Sequence, residues 1–452
     1  VATASGSIAS GPVSFMRIWD AMCATMLSTG ARRGAMMATL RCDHPDIETF
    51  VDAKRDPAAL RHFNLSVLVS DDFIRAVADD QDWPLRFPDL GVVRSVRAGA
   101  LWQRILRAAY DTAEPGVLFV DAINRDNTLA DRETISATNP CGEIPLPPYG
   151  ACDLGSLNLT AFVVSAFTAA ARVDLEALAD AARLSVRFLD NVIDVSRYPL
   201  LAQAQQARNT RRIGLGITGL ADTLVLLGLR YDSEEARTLA ARIMRTLRDA
   251  AYRASIELAA EKGAFPAFES AAFLASGFAA RLPPDIRDAI AGQGIRNSHL
   301  LAIAPTGTIS LLANNLSSGI EPVFAAEAER RVLDSDGNYR THHVVDAACQ
   351  LWREQGGRRL PPAWVEAQQL DPLAHLGMQA ALQPYVDNAI SKTINVAADM
   401  PFERFEDLYR RAHALGLKGC TVFRPNPVTG AILTQPTAAE QVHCCGLERE
   451  AD

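Results

Sequence analysis

The apolar positions of the chain follow two alternating periods. Residues 13–28, VSFMRIWDAMCATMLS, space apolar side chains at helical intervals, and 174–196 and 233–262 do so over longer amphipathic spans. A further helix is predicted over 96–113, and Asp71-Asp72 opens another. Asp43 and Pro45 suit the start of a helix over DIETFVDAKRD. Between the helices lie short apolar segments that predict strands: AMMATLRC (35–42), HFNLSVLVS (62–70), GVLFVDAIN (116–124), CDLGSLNLTAFV, AISKTINVA (389–397) and LKGCTVFR (417–424). RRIGLGITGLADTLVLLG (211–228) is glycine-rich and apolar, and its glycines imply close packing. SHLLAIAPTGTISLLA (298–313) runs from an apolar strand through a polar turn into a second apolar stretch. Strands separated by helices predict an α/β fold. Beyond Pro425 the chain is polar and aperiodic, which predicts a mobile tail.

One stretch breaks both periods. ATNPCGEIPLPPYGACDLGSLNL (137–159) carries Pro140, Pro145, Pro147 and Pro148, which exclude a helix. Gly142 and Gly150 permit tight turns. Cys141 therefore sits on a stiff, irregular loop, with Asn139 and Glu143 two residues to either side. A carboxylate beside a thiol raises its pKa and makes a poor thiolate activator. The pair suits chemistry that wants a neutral thiol, and hydrogen-atom transfer is such a chemistry. Glu143 can serve as a general base.

Composition narrows the field. The 452 residues are 48% apolar and 22% charged, ordinary values for a globular protein, with a net charge of −8. That charge argues against a groove that binds nucleic acid through bulk attraction, but not against a local phosphate site. No apolar run approaches the ~20 residues of a membrane span. The first residues, VATASGSIASGPVSF, lack the basic and apolar regions of a signal peptide and start with Val, so a fragment or processed product is expected. Eight cysteines are too sparse for a disulfide scaffold, and a reducing cytoplasm is the expected location. Cys23, Cys42, Cys349 and Cys420 lie in apolar contexts and read as buried small hydrophobes. His443-Cys444-Cys445 has no second cluster to complete a zinc site, so no metal site is assigned. Adjacent cysteines on a tail suit thiol–disulfide exchange better.

PTGTIS (305–310) places hydroxyls and backbone N–H groups after a strand. Such a turn cradles phosphate, or simply starts a helix with Thr as its cap. Neither GxxxxGK[ST] nor a strand-following GxGxxG occurs.

These residues together carry a resemblance. NPCGE with a second Cys eleven residues on, in CDLGSLNL, resembles the finger loop of ribonucleotide reductase large chains. RNSHLLAIAPTGTIS followed by SSGIEPVF resembles their phosphate-binding segment. DNAISKTINV and LKGCTVFRPN resemble the adenosylcobalamin-dependent, class II branch. The similarity runs from about residue 5 to about residue 430.

The resemblance implies a ten-stranded α/β barrel of two five-stranded halves, with the Cys141 loop threading its centre. It divides the chain into a catalytic barrel at 1–430 and a flexible tail at 431–452. It implies reduction of ribonucleoside diphosphates with adenosylcobalamin as cofactor. Cys141 becomes the thiyl radical that takes the 3′ hydrogen, Glu143 accepts the 3′-hydroxyl proton, and Asn139 orients the ribose. Cys152 and a second cysteine supply two electrons. Pro140 and Gly142, with Pro305, Thr306, Gly307, Thr308 and Ile309, would contact substrate. Arg32 and Arg33, in STGARRGAM, resemble the loop that senses a dNTP or ATP effector, and 5–12 resembles a second effector loop. The resemblance also implies a homodimer, with helix 13–28 as a candidate surface, and a thioredoxin-type reductant acting through Cys444 and Cys445. The family's upstream partner of Cys152 has no counterpart here. The chain therefore reads as an N-terminally incomplete large chain whose first barrel strand is missing. Rival readings are the same reaction driven by a separate metal radical subunit, and an inactive nucleotide-binding remnant. The first predicts a tyrosine pair near the end of the barrel, and no Tyr-Tyr pair occurs.

Overall fold

Strand Met36–Arg41 pairs in parallel with Phe63–Val69, which pairs in parallel with Gly116–Phe119. Gly116–Phe119 then meets Gly419–Phe423 antiparallel, and the strand direction reverses. Beyond that seam all neighbours are parallel again. Gly419–Phe423 lies beside Thr393–Asn395, Ile390 bridges Ile303, Leu301 bridges Leu215, and Ile213–Thr218 pairs with Asp153–Asn158. Three strands on one side of the seam and five on the other thus form a run of eight. Among the described residues this run does not close, since Met36–Arg41 and Asp153–Asn158 each have one strand neighbour. The computed structural model describes residues 10–28, 32–56, 58–88, 90–333, 339–425 and 433–434.

Parallel neighbours need long crossovers, and helices supply them. Asp174 caps Leu175–Val195 by accepting from the Ala177 N–H at 3.0 Å. That helix buries Leu178, Ala182, Val186, Leu189 and Ile193, one stripe at helical spacing. Ser233 caps Glu234–Lys262 in the same way, with Glu234 and Glu235 in the first turn and Lys262 in the last, matching the helix dipole. Strand Ile213–Thr218, covered on both faces, is buried at all six positions. Its glycines confirm the close-packing reading: a Cβ on Gly216 would lie 2.1 Å from the Ala302 carbonyl oxygen. One apolar core underlies the five-strand side, around Leu178, Ile213 and Leu247, and another the three-strand side, around Phe63, Trp102 and Tyr409.

Several predicted boundaries move. The strand in GVLFVDAIN stops at Phe119, and Val120–Asp126 is helical. The strand in CDLGSLNLTAFV stops at Asn158, whose side chain accepts from the Thr160 N–H and opens a 3-10 turn. Only Ile47–Val51 of DIETFVDAKRD is helical. The first helix runs Pro12–Thr25, and Leu27–Ser28 pairs back onto Arg32–Arg33. Two hairpins, Asp82–Phe87 with Gly91–Arg97 and Glu327–Leu333 with Tyr339–Val345, were not read from the sequence, although Trp83, Leu85 and Phe87 alternate in the first. Leu433–Thr434, the described part of the tail, pairs with Arg330 and Glu329. The rest of 431–452, with Cys444 and Cys445, lies outside the described residues, as do residues 5–9 of the second effector loop. No helix among the described residues is long and apolar enough to cross a membrane.

Candidate active site

The Cys141 loop is a hairpin. Ala137–Thr138 pairs antiparallel with Pro145–Leu146, leaving residues 139–144 as its tip. Gly142 has φ +83°, a conformation glycine adopts without strain. Its N–H donates to the Asn139 carbonyl at 3.0 Å, and the Ile144 N–H donates to Asn139 Oδ1 at 3.0 Å. Both sides of the sheet hold the tip. Asn64 Nδ2, from the three-strand side, donates to the Pro140 carbonyl at 2.9 Å. The Ala389 N–H, from the five-strand side, donates to the Glu143 carbonyl at 2.9 Å.

Pro140, Cys141 and Gly142 open onto a cavity of about 130 Å³ that Pro305 also lines. Ser66, Gly116 and Thr421 form a wall of small residues in the same cavity. A Cβ on Gly116 would sit 3.0 Å from Ser66 Oγ and 3.4 Å from Thr421 Oγ1. Glu143 is 2% exposed, and its Oε2 has no hydrogen-bond partner. Burial pushes its carboxyl above the usual range, and a hydrogen bond from Asn139 opposes the rise. The site thus keeps a buried carboxyl with an uncommitted oxygen two residues from a thiol.

The turn expected at 305–310 forms, but not as a side-chain cap. Thr306 precedes helix Gly307–Leu312 at φ 43° and makes no side-chain cap bond. Its hydroxyl donates or accepts inward instead, 2.8 Å from Thr218 Oγ1 and 2.7 Å from the Gly319 N–H. Thr306 therefore ties the turn to two neighbouring segments, while Thr308 and Ile309 are exposed. Ile309 is 45% exposed.

Cys152 lies just before strand Asp153–Asn158 and lines a different cavity from Cys141. No described cysteine is disulfide-bonded. Cys23, Cys42, Cys349 and Cys420 are buried as expected, yet Cys420 also reaches the Cys141 cavity. Arg32–Arg33 forms one strand of the small hairpin. No group of His, Cys, Asp and Glu among the described residues could hold a metal ion.

Among the polar residues of the cavity that were not singled out from the sequence are Asn64, Glu321 and Lys392. Lys392 is 5% exposed, pairs with the Glu321 carboxylate and has Nζ 2.8 Å from His375 Nδ1. The signal was present, because Glu321 stands in SSGIEPVF and Lys392 in DNAISKTINV. What those motifs lacked was any spacing that brings residue 321 to residue 392.

Residues 2–423 match the family described as ribonucleotide reductase, barrel domain. A vitamin B12-dependent ribonucleoside-diphosphate reductase of Mycobacterium tuberculosis (strain CDC 1551 / Oshkosh) is 42% identical over 451 residues, covering 95% of this chain and 62% of that protein. The protein of that description from Thermoplasma acidophilum is 36% identical, over 95% of this chain and 56% of its own length. A vitamin B12-dependent ribonucleotide reductase of Streptomyces clavuligerus is 28% identical, over 97% and 53%. This chain thus spans little more than half the length of these relatives. With that match over nearly its whole length, the chain belongs to the ribonucleotide reductase barrel-domain family.

Proposed function

We propose that this barrel is the catalytic part of an enzyme that reduces ribonucleoside diphosphates to 2′-deoxyribonucleotides through a Cys141 thiyl radical, with adenosylcobalamin as cofactor. The observation that carries it is the finger tip: Cys141 and the phosphate turn's Pro305 line one cavity, with the buried Glu143 carboxyl two residues from the thiol. The relatives named above as B12-dependent support the cofactor. So does the cavity. Among the described residues no tyrosine lines it, and the small Ser66, Gly116 and Thr421 stand in its wall with Cys141.

Bound adenosylcobalamin supplies the radical chemistry that converts the Cys141 thiol. The chain's residues do the rest. The Cys141 sulfur takes the 3′ hydrogen of the ribose. Glu143 Oε2 takes the 3′-hydroxyl proton, and its raised pKa matches a base that later returns that proton. Asn139 orients this carboxylate and the ribose hydroxyls. The 2′-hydroxyl leaves as water, and Cys152 with a second cysteine delivers two electrons. The turn from Pro305 to Ile309 holds the phosphates with backbone N–H groups.

The finer expectations stand with this reading. A closed ten-stranded barrel needs two further strands between Met36–Arg41 and Asp153–Asn158. The Arg32–Arg33 hairpin reads a dNTP or ATP effector. Phe15, Ile18, Trp19 and Met22 form an exposed stripe on Pro12–Thr25 suited to a homodimer. Cys444 and Cys445 pass electrons from a thioredoxin-type protein in the cytoplasm; equal activity of their double Ser variant with thioredoxin and with dithiothreitol refutes that role.

The deciding assay combines the full-length protein with adenosylcobalamin, CDP, an effector dNTP and dithiothreitol, and measures dCDP. Product from wild type but not from Cys141→Ser, and only with the cofactor, is expected. Activity that needs an added radical subunit instead assigns the metal-dependent reaction. Silence in both settings assigns a nucleotide-binding remnant.

A further inference from the structure

Helices Leu220–Leu226 and Ala347–Glu354 meet through two carboxylates. Asp222, on the first, is fully buried, and Asp346, which caps the second, is 4% exposed. Asp346 Oδ1 accepts from the Ala348 N–H at 3.0 Å and from the Cys349 N–H at 3.1 Å. Asp222 Oδ1 accepts from the same Ala348 N–H, at 3.1 Å. Two carboxylate oxygens therefore converge on one N–H in the interior. A helix start needs one such acceptor, so capping explains Asp346 and not Asp222.

The other oxygen of Asp222 shows what the second acid is for. Oδ2 accepts from the Ser317 N–H at 2.6 Å, and the Asp222 N–H donates to Ser317 Oγ at 3.3 Å. The Ser317 carbonyl accepts in turn from the Gly219 N–H at 2.9 Å and from Thr218 Oγ1 at 3.2 Å. Thr218 Oγ1 lies 2.8 Å from Thr306 Oγ1. A continuous path of hydrogen bonds thus runs from the carboxylates to Thr306, at the head of helix Gly307–Leu312.

We propose that Asp222 and Asp346 share one proton and act as positioning residues: the singly charged pair holds Ser317, and through it keeps the turn at 305–310 in the shape that takes the substrate diphosphate. Their role rests on the reading of that turn as the phosphate site. It brings in two residues that lie outside the Cys141 cavity.

Two carboxylates on one buried N–H cannot both be ionised. With a proton between them, one donates to the other, and the Ser317, Ala348 and Cys349 N–H groups stabilise the single charge that remains. Without it, repulsion parts Asp346 from Asp222 or draws Asp222 off Ser317. Burial first, and the Asp222 charge second, hold the Asp346 carboxyl well above the usual range, and burial raises Asp222 against the donors at Ser317 and Ala348. Few other charges face the pair. Glu321 and Arg330 share a small cavity with Asp346, and Cys349 follows on its helix. Glu327 is occupied by His343 and Arg353 nearer the surface. The 3-10 turn Leu159–Phe162, packed on the helix of Asp222, carries no ionisable group. Because the folded chain favours the protonated pair, the link is complete at low pH and weakens as pH rises through the raised value.

Hydrogen exchange read by mass spectrometry on the full chain tests this without turnover. Protection of residues 305–319 is measured at pH 6 and pH 9, each divided by the intrinsic exchange rate. Wild type is expected to lose at least about tenfold of that protection, the equivalent of one pKa unit, while helix Glu234–Lys262 keeps its own. Asp346→Asn donates to Asp222 but cannot titrate, so its protection at the two pH values is expected to agree within about twofold. Asp222→Asn cannot accept from both Ser317 and Ala348 and is expected to lose protection at both. Equilibrium dialysis follows binding on the same samples. The CDP dissociation constant of wild type is expected to rise with pH beyond any rise in Asp346→Asn, and that of cytidine to change equally in both. Flat protection in wild type, which needs no variant to fold, overturns the proposal. So does one pH profile shared by wild type and Asp346→Asn, or a loss of CDP and cytidine binding together. Protection behaving as described with no CDP bound at any pH removes the phosphate reading of the turn, and with it the reductase reading, and leaves the proton-held link standing.

Discussion

Asn64 Nδ2 donates to the carbonyl oxygen of Pro140 at 2.9 Å, so a strand of the three-strand side holds the residue immediately before Cys141. The proline has no N–H of its own to anchor, and its carbonyl is the handle the tip offers at that point.

Removing that handle has a defined consequence. Asn64→Ala deletes a hydrogen bond worth about 1 kcal/mol. The melting temperature is expected to shift by only a few degrees. Turnover is expected to fall by roughly 10²-fold, because a misplacement of about 1 Å at a reacting atom costs that much. Measuring dCDP formation beside thermal unfolding checks this. Parallel small losses in both would reduce Asn64 to a structural residue.

Glu143 separates activity from stability. Its carboxyl is raised by burial, so the protonated form is the one the folded chain favours. Such a group stabilises the fold fully below the ordinary carboxylate range, and that contribution is lost as pH rises through the raised value. Glu143→Gln keeps the neutral shape and cannot ionise. It is expected to melt higher than wild type at pH 7–8, with the gap closing toward pH 4, while turnover falls by roughly 10²–10⁴-fold. A variant that loses both activity and stability at pH 8 would contradict this sign.

Gly216 is the tightest approach between neighbouring strands. A side chain there would place Cβ 2.1 Å from the Ala302 oxygen, in a strand with every position buried. Gly216→Ala is expected to cost about 3 kcal/mol, the upper end of ordinary overpacking. Denaturant unfolding reads it, and a loss under about 1 kcal/mol would mean that the 301–303 segment can move aside.

Lys418 ties the seam together. It is 2% exposed, and its Nζ donates to the carbonyls of Asp387 at 2.7 Å and Asn388 at 2.6 Å and lies 3.3 Å from Asp126. Lys418→Met leaves the carbonyls of Val386, Asp387 and Asn388 without this donor and leaves Asp126 with Arg281 alone. A loss of about 3–5 kcal/mol is expected in chemical denaturation. Adding Asp126→Asn should recover part of it, and a double variant no better than the single one would assign the loss to the carbonyls.

Much of the site was legible before the fold. Prolines and glycines around Cys141 exclude regular structure locally, and the pairing of a thiol with Glu143 is a matter of two residues. The long helices were legible because their burial stripes repeat within one element. The small hairpins were not, because strands such as Glu327–Leu333 and Tyr339–Val345 owe their pairing to each other. The role of Thr306 was half legible: it starts the helix as expected, but its hydroxyl turns to Gly319 and Thr218, partners that no local pattern names.

The sequence by itself determined the α/β alternation, the stiff loop and the chemical identities at its tip, since these depend on backbone restriction and on residues within a few positions of each other. Tertiary structure alone decided which distant residues share a cavity: Asn64 with Pro140, Lys392 with Glu321, and Cys152 with Arg212 in a chamber apart from Cys141. Those contacts span dozens of residues, and they exist because parallel strands return to the same sheet only after a helix, at a register set by packing such as Gly216 against Ala302.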